Sequence, residues 1–367
     1  MIIIRRVWRS RQTLRVAAAA LGTIFIGMHA LASPALAQTA YMPTSANTVS
    51  VIDTASNTVT ATIPVGSTPY GVAVSPDGSR VYIANNRART VSVIQTASNT
   101  VTATILVGRG PFGMAVSPNG SRAYVTNNDD HTVSVIDTAS NTVVATIPVG
   151  TMPFGVTVSP DGSRIYVANA ITDTVSVIDT ASNTVAATIP VGYYPYGVAV
   201  SPNGSRVYVT SSNNAVWVID TASNTVAATI PVGAGPRSVA VSPDGSRAYV
   251  PNYDANSVSV IDTASNTVTA TIPAGSRPFG AAVSPNGSRV YVGNIDANTV
   301  SVIQTASNTV SATIPMGSSA QGMGQFIVPT PTAPAPVPTM SEWAMILLGL
   351  TLAGSAAVLI QRRRAFA

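Results

Sequence analysis

Between residues 38 and 328 the chain has no cysteine, lysine or glutamate, and its single histidine there is His131. Thiolate nucleophiles, Schiff-base lysines and multi-histidine metal sites are thereby excluded from this stretch. That histidine stands beside two carboxylates, Asp129-Asp130-His131, the one group whose types suit a metal ion or a proton transfer. A site needs convergent ligands, usually from several loops, whereas neighbours in a tight turn point apart, so the competing reading is a solvated turn. No catalytic residue and no cofactor is expected. All 19 basic residues are Arg, and five precede residue 16 while three follow residue 361. Residues 38–328 hold 11 Arg against 13 Asp, a balance of −2, so the sequence pI near 9.7 belongs to the two ends. Without a basic body to neutralise phosphates, a nucleic-acid partner is ruled out as a first choice.

The ends read as addresses. Residues 1–15 are basic, residues 16–32 are apolar, and Ala35-Leu36-Ala37 offers the small residues that signal peptidase accepts, so residues 1–37 are expected to be a secretory signal helix cut after Ala37. At the other end, residues 329–340 form a Pro-rich linker, whose run from Pro329 to Pro338 favours an extended polyproline II chain. Residues 341–367 follow: Ser341-Glu342-Trp343, an apolar stretch at 344–360, and Arg362-Arg363-Arg364. That stretch is just long enough for a transmembrane helix, with Trp343 at the interface and the Arg cluster on the cytoplasmic side. Val337-Pro338-Thr339-Met340-Ser341-Glu342-Trp343, the apolar segment and the basic end resemble the IPTL-CTERM tail, a relative of the PEP-CTERM sorting signals of Gram-negative bacteria, with Met340 for the usual Leu and Val337 for the usual Ile. The resemblance implies an exosortase-type processing enzyme as partner, transient anchoring in the inner membrane, and a body at the cell surface or in the periplasm. A plain membrane anchor is the simpler alternative.

Everything between the ends is one motif repeated. TASNT recurs after Asp53, Gln95, Asp137, Asp179, Asp220, Asp262 and Gln304, and SP[DN]GSR occurs six times. The spacing is 42 residues, shortened once to 41 at Ser211-Ser212-Asn213-Asn214. Each unit reads as four short strands, for example 113–117, 122–127, 132–137 and 142–149, with apolar and Ser/Thr residues alternating and Pro-Asn-Gly making a tight turn. About 42 residues and four strands per unit is the signature of a β-propeller blade. The stretch begins at a second strand (Ala40-Tyr41) and ends at a first strand (Gly322 to Val328). The expectation is therefore an all-β, seven-bladed β-propeller over 38–328, four antiparallel strands per blade, closed by its C-terminal strand pairing with the N-terminal blade.

Tyr124-Val125-Thr126-Asn127 is the signature of the YVTN-type β-propeller repeats, and the units resemble that family throughout residues 40–328. The resemblance implies the fold and a secreted or surface setting, but no activity.

Antiparallel strands place SP[DN]GSR and TASNT on one face of the disk and the non-repeating loops on the other. That second face holds Arg87, Arg89, Arg109, Tyr193, Tyr194, Tyr253, Asp254 and Arg277. Just before each first strand stand Tyr70, Phe112, Phe154, Tyr196, Arg237, Phe279 and Gln321. These either ring the mouth of the central channel, with Arg237 and Gln321 as polar handles, or wedge between blades. Register across the second and third strands sets Arg122 opposite Asp137, and likewise Arg164–Asp179, Arg206–Asp220 and Arg247–Asp262, which predicts surface ion pairs. Arg80 and Arg289 face Gln95 and Gln304 instead, so charge there is not needed for folding. Trp217, in the shortened unit, is expected to fill a gap between blades. The favoured function is a non-enzymatic scaffold that binds a surface, matrix or host component, protein or glycan, through the variable face. The alternative is a periplasmic or surface enzyme of the propeller lactonase or redox-subunit type.

Overall fold

A computed structural model describes residues 38–329, and every regular element in them is a β-strand. The signal segment, the linker beyond Pro329, the sorting motif Val337–Trp343 and the apolar span at 344–360 lie outside the described residues. Among the described residues no helix is long and apolar enough to cross a membrane.

The strands form seven antiparallel sheets, six of four strands and one of three. Numbered along the chain, blade 3 is representative, with strands at Pro111–Val116, Arg122–Asn127, Thr132–Asp137 and Thr142–Pro148. Its first strand starts two residues before the expected boundary because Pro111 already pairs with Asn127. The three-stranded sheet is blade 1 (Thr39–Thr44, Thr48–Asp53, Thr58–Pro64), and residues 320–328 lie along its open edge. Tyr41 N donates to Phe326 O at 2.8 Å, Val328 N to Thr39 O at 2.8 Å and Gln321 N to Pro43 O at 3.0 Å. Phe326 and Ile327 are fully buried there. The chain's two described ends thus complete one blade between them, and the ring has seven blades of four strands, as its repeats predict.

There is no single core. Apolar side chains fill the slabs between neighbouring blades; Tyr124, Val133, Val135 and Ile147 of blade 3 pack with Val156, Val158, Ile165, Val167 and Ile178 of blade 4. The second and third strands of a blade are covered on both faces, which is why Ser134 is as buried as Val133 and Val135. One side of each buried amide is satisfied within the blade, Asn127 Nδ2 donating to Ser134 Oγ at 2.9 Å, while its Oδ1 has no partner. In blade 5 the same pair is Ser211 and Trp217, and the indole, packed against Gly192, occupies space the smaller Ser211 leaves. Trp217 also packs on the slab between blades 4 and 5.

The first strands surround the axis and approach backbone to backbone. A Cβ on Gly113 would collide with the Phe154 carbonyl of the next blade, and one on Gly280 with the Gly322 carbonyl, so glycine is required at this contact. Blade 6 has Ser238 in that place, and its first strand keeps regular pairing only over Ala240–Val241. Ser238 Oγ instead accepts the Ala281 N–H of blade 7 at 3.0 Å.

Candidate functional site

The repeated turn residues meet on one face, and most of their polar groups have a structural partner, the amide oxygens of Asn57, Asn141, Asn224 and Asn308 being exceptions. In the SP[DN]G turn, Ser75 Oγ donates to Asp77 Oδ1 at 2.5 Å, and Ser117 Oγ to Asn119 Oδ1 at 2.7 Å. Only an acceptor oxygen is needed, so Asp and Asn are interchangeable there. In the following turn, Asp137 Oδ1 accepts Ser140 N at 2.9 Å, and Thr138 Oγ1 donates to Gly120 O at 2.6 Å, tying the two turns together.

The repeated arginines differ from expectation. The register is as predicted, but of the four expected pairs only Arg122–Asp137 closes as an ion pair. Elsewhere the guanidinium crosses to the next blade: Arg80 reaches Thr138 O at 2.5 Å, Arg164 reaches Thr221 O at 2.9 Å and Arg247 reaches Thr305 O at 2.6 Å. A backbone carbonyl is present whichever residue faces the arginine across the hairpin. That explains why Arg289 opposite Gln304 still bonds Thr54 O at 2.7 Å. The buried second-strand tyrosines cross the same way; Tyr41 Oη donates to Asn99 Oδ1 at 2.6 Å, and burial pushes its pKa up to about 12.

On the opposite face the residues before the first strands converge on the axis and meet across it. Ring centroids lie 4.8 Å apart for Tyr70–Phe112, 5.7 Å for Phe112–Tyr196, 5.9 Å for Tyr196–Phe279 and 6.3 Å for Tyr70–Phe279, a closed quadrilateral. Phe154 stacks on Tyr196 at 4.3 Å. Phe112, Phe154, Tyr196 and Phe279 are buried in this cluster together with Met323. The aromatics therefore neither frame an open mouth nor wedge between blades; they plug the channel. Burial raises the Tyr196 phenol far above its ordinary value, against the opposing field of Arg237, and burial raises Tyr70, which Arg87 partly offsets.

Arg237 and Gln321, the two exceptions in the ring, behave differently. Gln321 is buried and its Nε2 donates to Pro69 O at 2.9 Å, part of ring closure. Arg237 is half-buried, its guanidinium 5.1 Å from the Tyr196 centroid and 4.9 Å from that of Tyr253. Its Nε is shut from water without an acceptor. Arg277 lies 5.2 Å from the same Tyr253 ring and pairs with Asp296 at 3.3 Å. Tyr193 is 66% exposed and adjoins Tyr194, which leans on Phe154 at 5.9 Å. Arg87, Arg89 and Asp254 are exposed on the surrounding loops.

Asp129, Asp130 and His131 do not converge. Asp130 accepts Arg109 N at 2.6 Å and pairs with Arg109 Nε at 2.5 Å, which lowers its pKa. His131 has φ 57° and its Nδ1 faces Met152 N at 3.2 Å. Asn47 and Asn256 do the same work, accepting Thr68 N at 2.9 Å and Arg277 N at 2.8 Å, so His131 stands in a turn-capping position. No three His, Asp or Glu residues gather around a common point among the described residues.

The sequence reading did not place the channel's open end. Below the plug lies a cavity of about 380 Å³ that runs to the uniform face, lined by Val74, Val116, Val158, Val200 and Val241 and rimmed by Pro202 and Pro243. Its lining includes no titratable side chain. The first strands that line it, such as Gly113-Met114-Ala115-Val116, carry small residues toward the axis.

A repeat ring of this kind, self-closed and presenting one regular face and one heterogeneous face, defines a seven-bladed, repeat-built β-propeller. Comparison with known families makes this specific: residues 53–324 match the virginiamycin B lyase family, and the chain belongs to it. Residues 335–364 match the IPTL-CTERM motif, which marks an exported protein anchored at least transiently in the membrane of Gram-negative bacteria. No curated protein matches the chain. Among solved structures it is similar to Kuenenia stuttgartiensis hydrazine synthase, at 25% identity and TM-score 0.66, over 72% of this chain and 91% of that one. It is also similar to a functionally unknown protein from Desulfotomaculum acetoxidans (17% identity, TM-score 0.70, 79% and 99% covered). A third is the dihydro-heme d1 dehydrogenase NirN in complex with DHE (19%, 0.59, 76% and 64%). The latter two likenesses concern the fold alone.

Proposed function

We propose that the protein is an exported binding module whose variable face engages a component of the cell surface, the matrix or a host. The division of labour between faces carries this reading. Repeated residues on the uniform face are engaged in turns and inter-blade bonds, while the variable face presents non-repeating Tyr and Arg side chains around a filled, rigid centre. The expected topology supports it: signal segment at 1–37, propeller at 38–328, linker at 329–340 and tail at 341–367 would hold the disk away from the membrane. A binding screen of the purified chain against glycans, proteins and matrix material tests the reading. Tyr193→Ala, Tyr194→Ala and Arg237→Ala should weaken any hit, and Arg122→Ala or Asp137→Ala should not. Loss of binding in folded Arg122 or Asp137 variants would move the site to the other face.

A second reading, enzymatic, draws on the family's name and on two similar structures, hydrazine synthase and a dihydro-heme d1 dehydrogenase. Lyase or hydrolase chemistry needs a positioned acid or base at the reacting atoms, and the channel lining offers none. Turnover of a lactone or cyclic ester by the purified chain, abolished by a channel substitution such as Thr157→Val, would favour this reading over the binding module.

A further inference from the structure

We propose that Arg237 is the carboxylate-binding subsite of the variable face and that its ligand is an acidic polysaccharide of the hexuronate type. This rests on the binding-module reading and adds the chemical class of the ligand.

Two irregularities of the ring fall on adjacent residues. Arg237 stands where five blades have an aromatic ring, and Ser238 where the first-strand contact elsewhere takes glycine. Blade 6 loses most of its inner ladder at that point. What occupies the gap is a guanidinium clamped between the rings of Tyr196 and Tyr253. It forms no ion pair among the described residues, and while its Nε is buried, its two terminal nitrogens are neither buried nor bonded to a protein acceptor. That outer edge of the fork is the part an external acceptor can reach. Three carboxylates on the face are engaged elsewhere, Asp130 with Arg109, Asp296 with Arg277 and Asp173 with Tyr194 N at 2.8 Å, and Asp254, exposed beside Gly235, makes no ion pair with Arg237. The acceptor that fits a planar guanidinium fork is an incoming carboxylate.

The surroundings favour a sugar as its carrier. Tyr253 lies half-buried beside the guanidinium, and half-buried Tyr194 with the exposed Tyr193 forms the outer end of the ring cluster, whose inner members Tyr196 and Phe154 are buried. Aromatic faces are electron-rich and accept the C–H face of a pyranose. The plug leaves the centre filled, which suits a chain laid across the face better than side chains seated in pockets.

The test is calorimetric titration of the purified full-length chain with alginate oligomers, carboxyl-reduced alginate and poly-glutamate. Alginate is expected to bind, and carboxyl reduction to weaken it at least tenfold, an arm that needs no altered protein. Arg237→Gln should weaken alginate at least tenfold, with Arg237→Lys recovering part of the loss because it restores the charge but not the fork. Equal affinity for carboxyl-reduced alginate, or no change in folded Arg237→Gln, overturns the subsite; the face reading then survives if Tyr193→Ala still weakens binding. Equal affinity for poly-glutamate overturns the saccharide class. Absence of binding to alginate, polygalacturonate and hyaluronan alike overturns the inference and leaves the face open to neutral glycans and proteins. Loss through Arg247→Gln alone, with Arg237 and Tyr193 variants unaffected, overturns both readings.

Discussion

The two faces of the disk are built from the same repeats and do opposite things with their side chains. On the uniform face, Arg247 is spent on Thr305 O of the next blade and Thr263 on Gly245 O of the adjacent turn in its own blade. On the variable face, Tyr193 is exposed and Arg237 lacks an acceptor. Repetition on one face is therefore a consequence of blade-to-blade geometry, which every unit must satisfy. Variation on the other is possible because the axis there is secured by the aromatic plug rather than by the loops around it.

The largest expected effect comes from removing what both faces share. Ending the chain before Ala320 strips the inner strand from blade 1 and exposes Ala40, Tyr41 and Met42, all buried beside it. Calorimetry should then lose a cooperative transition, and a sharp transition at unchanged temperature would show that closure is dispensable. Next, Gly113→Ala should destabilise by about 2–4 kcal/mol through the clash with Phe154 O. Ser238→Gly should destabilise by about 1–2 kcal/mol in denaturant titration, since it removes the acceptor of the buried Ala281 N–H. The sharpest separation of the faces pairs Arg247→Ala with Tyr193→Ala. The first should cost about 1 kcal/mol and spare binding; the second should shift stability by less than about 0.5 kcal/mol and weaken binding.

The smallest effect is the pH dependence carried by the carboxylates of the uniform face. Hydrogen bonds from Ser159 Oγ and Ser163 hold Asp161 down to about 2, those from Ser242 Oγ and Ser246 hold Asp244 there, and the Ser140 bonds with Arg122 hold Asp137 there. A carboxylate with a lowered folded pKa contributes fully above its ordinary range and loses that contribution as pH falls from about 4 towards 2. Replacing Asp77, Asp161 and Asp244 by Asn keeps the acceptor without the titration, as Asn119 shows. The triple variant should flatten the acid limb of a melting-temperature profile while leaving binding on the far face unchanged.

How much was legible differs from one feature to the next. The blade count, the closing segment and the Arg–Asp register were readable because repeats and strand alternation are local. The arginines' partners were not, because a guanidinium chooses between a carboxylate across its own hairpin and a carbonyl on the next blade, and only blade spacing places that carbonyl. His131 looked like chemistry until its positive φ set it among the turn-capping asparagines.

The sequence by itself determined a ring of seven equivalent sheets with one regular and one irregular face, because a fixed period and a two-residue alternation leave the chain no other way to bury its apolar stripes. Only the tertiary structure decided that the rings before the first strands meet across the axis, that the channel opens on the regular face, and that Arg237 is caught between two tyrosines. Those outcomes depend on how closely seven inner strands approach, a distance set by glycines against carbonyls around the whole circle rather than by any one segment.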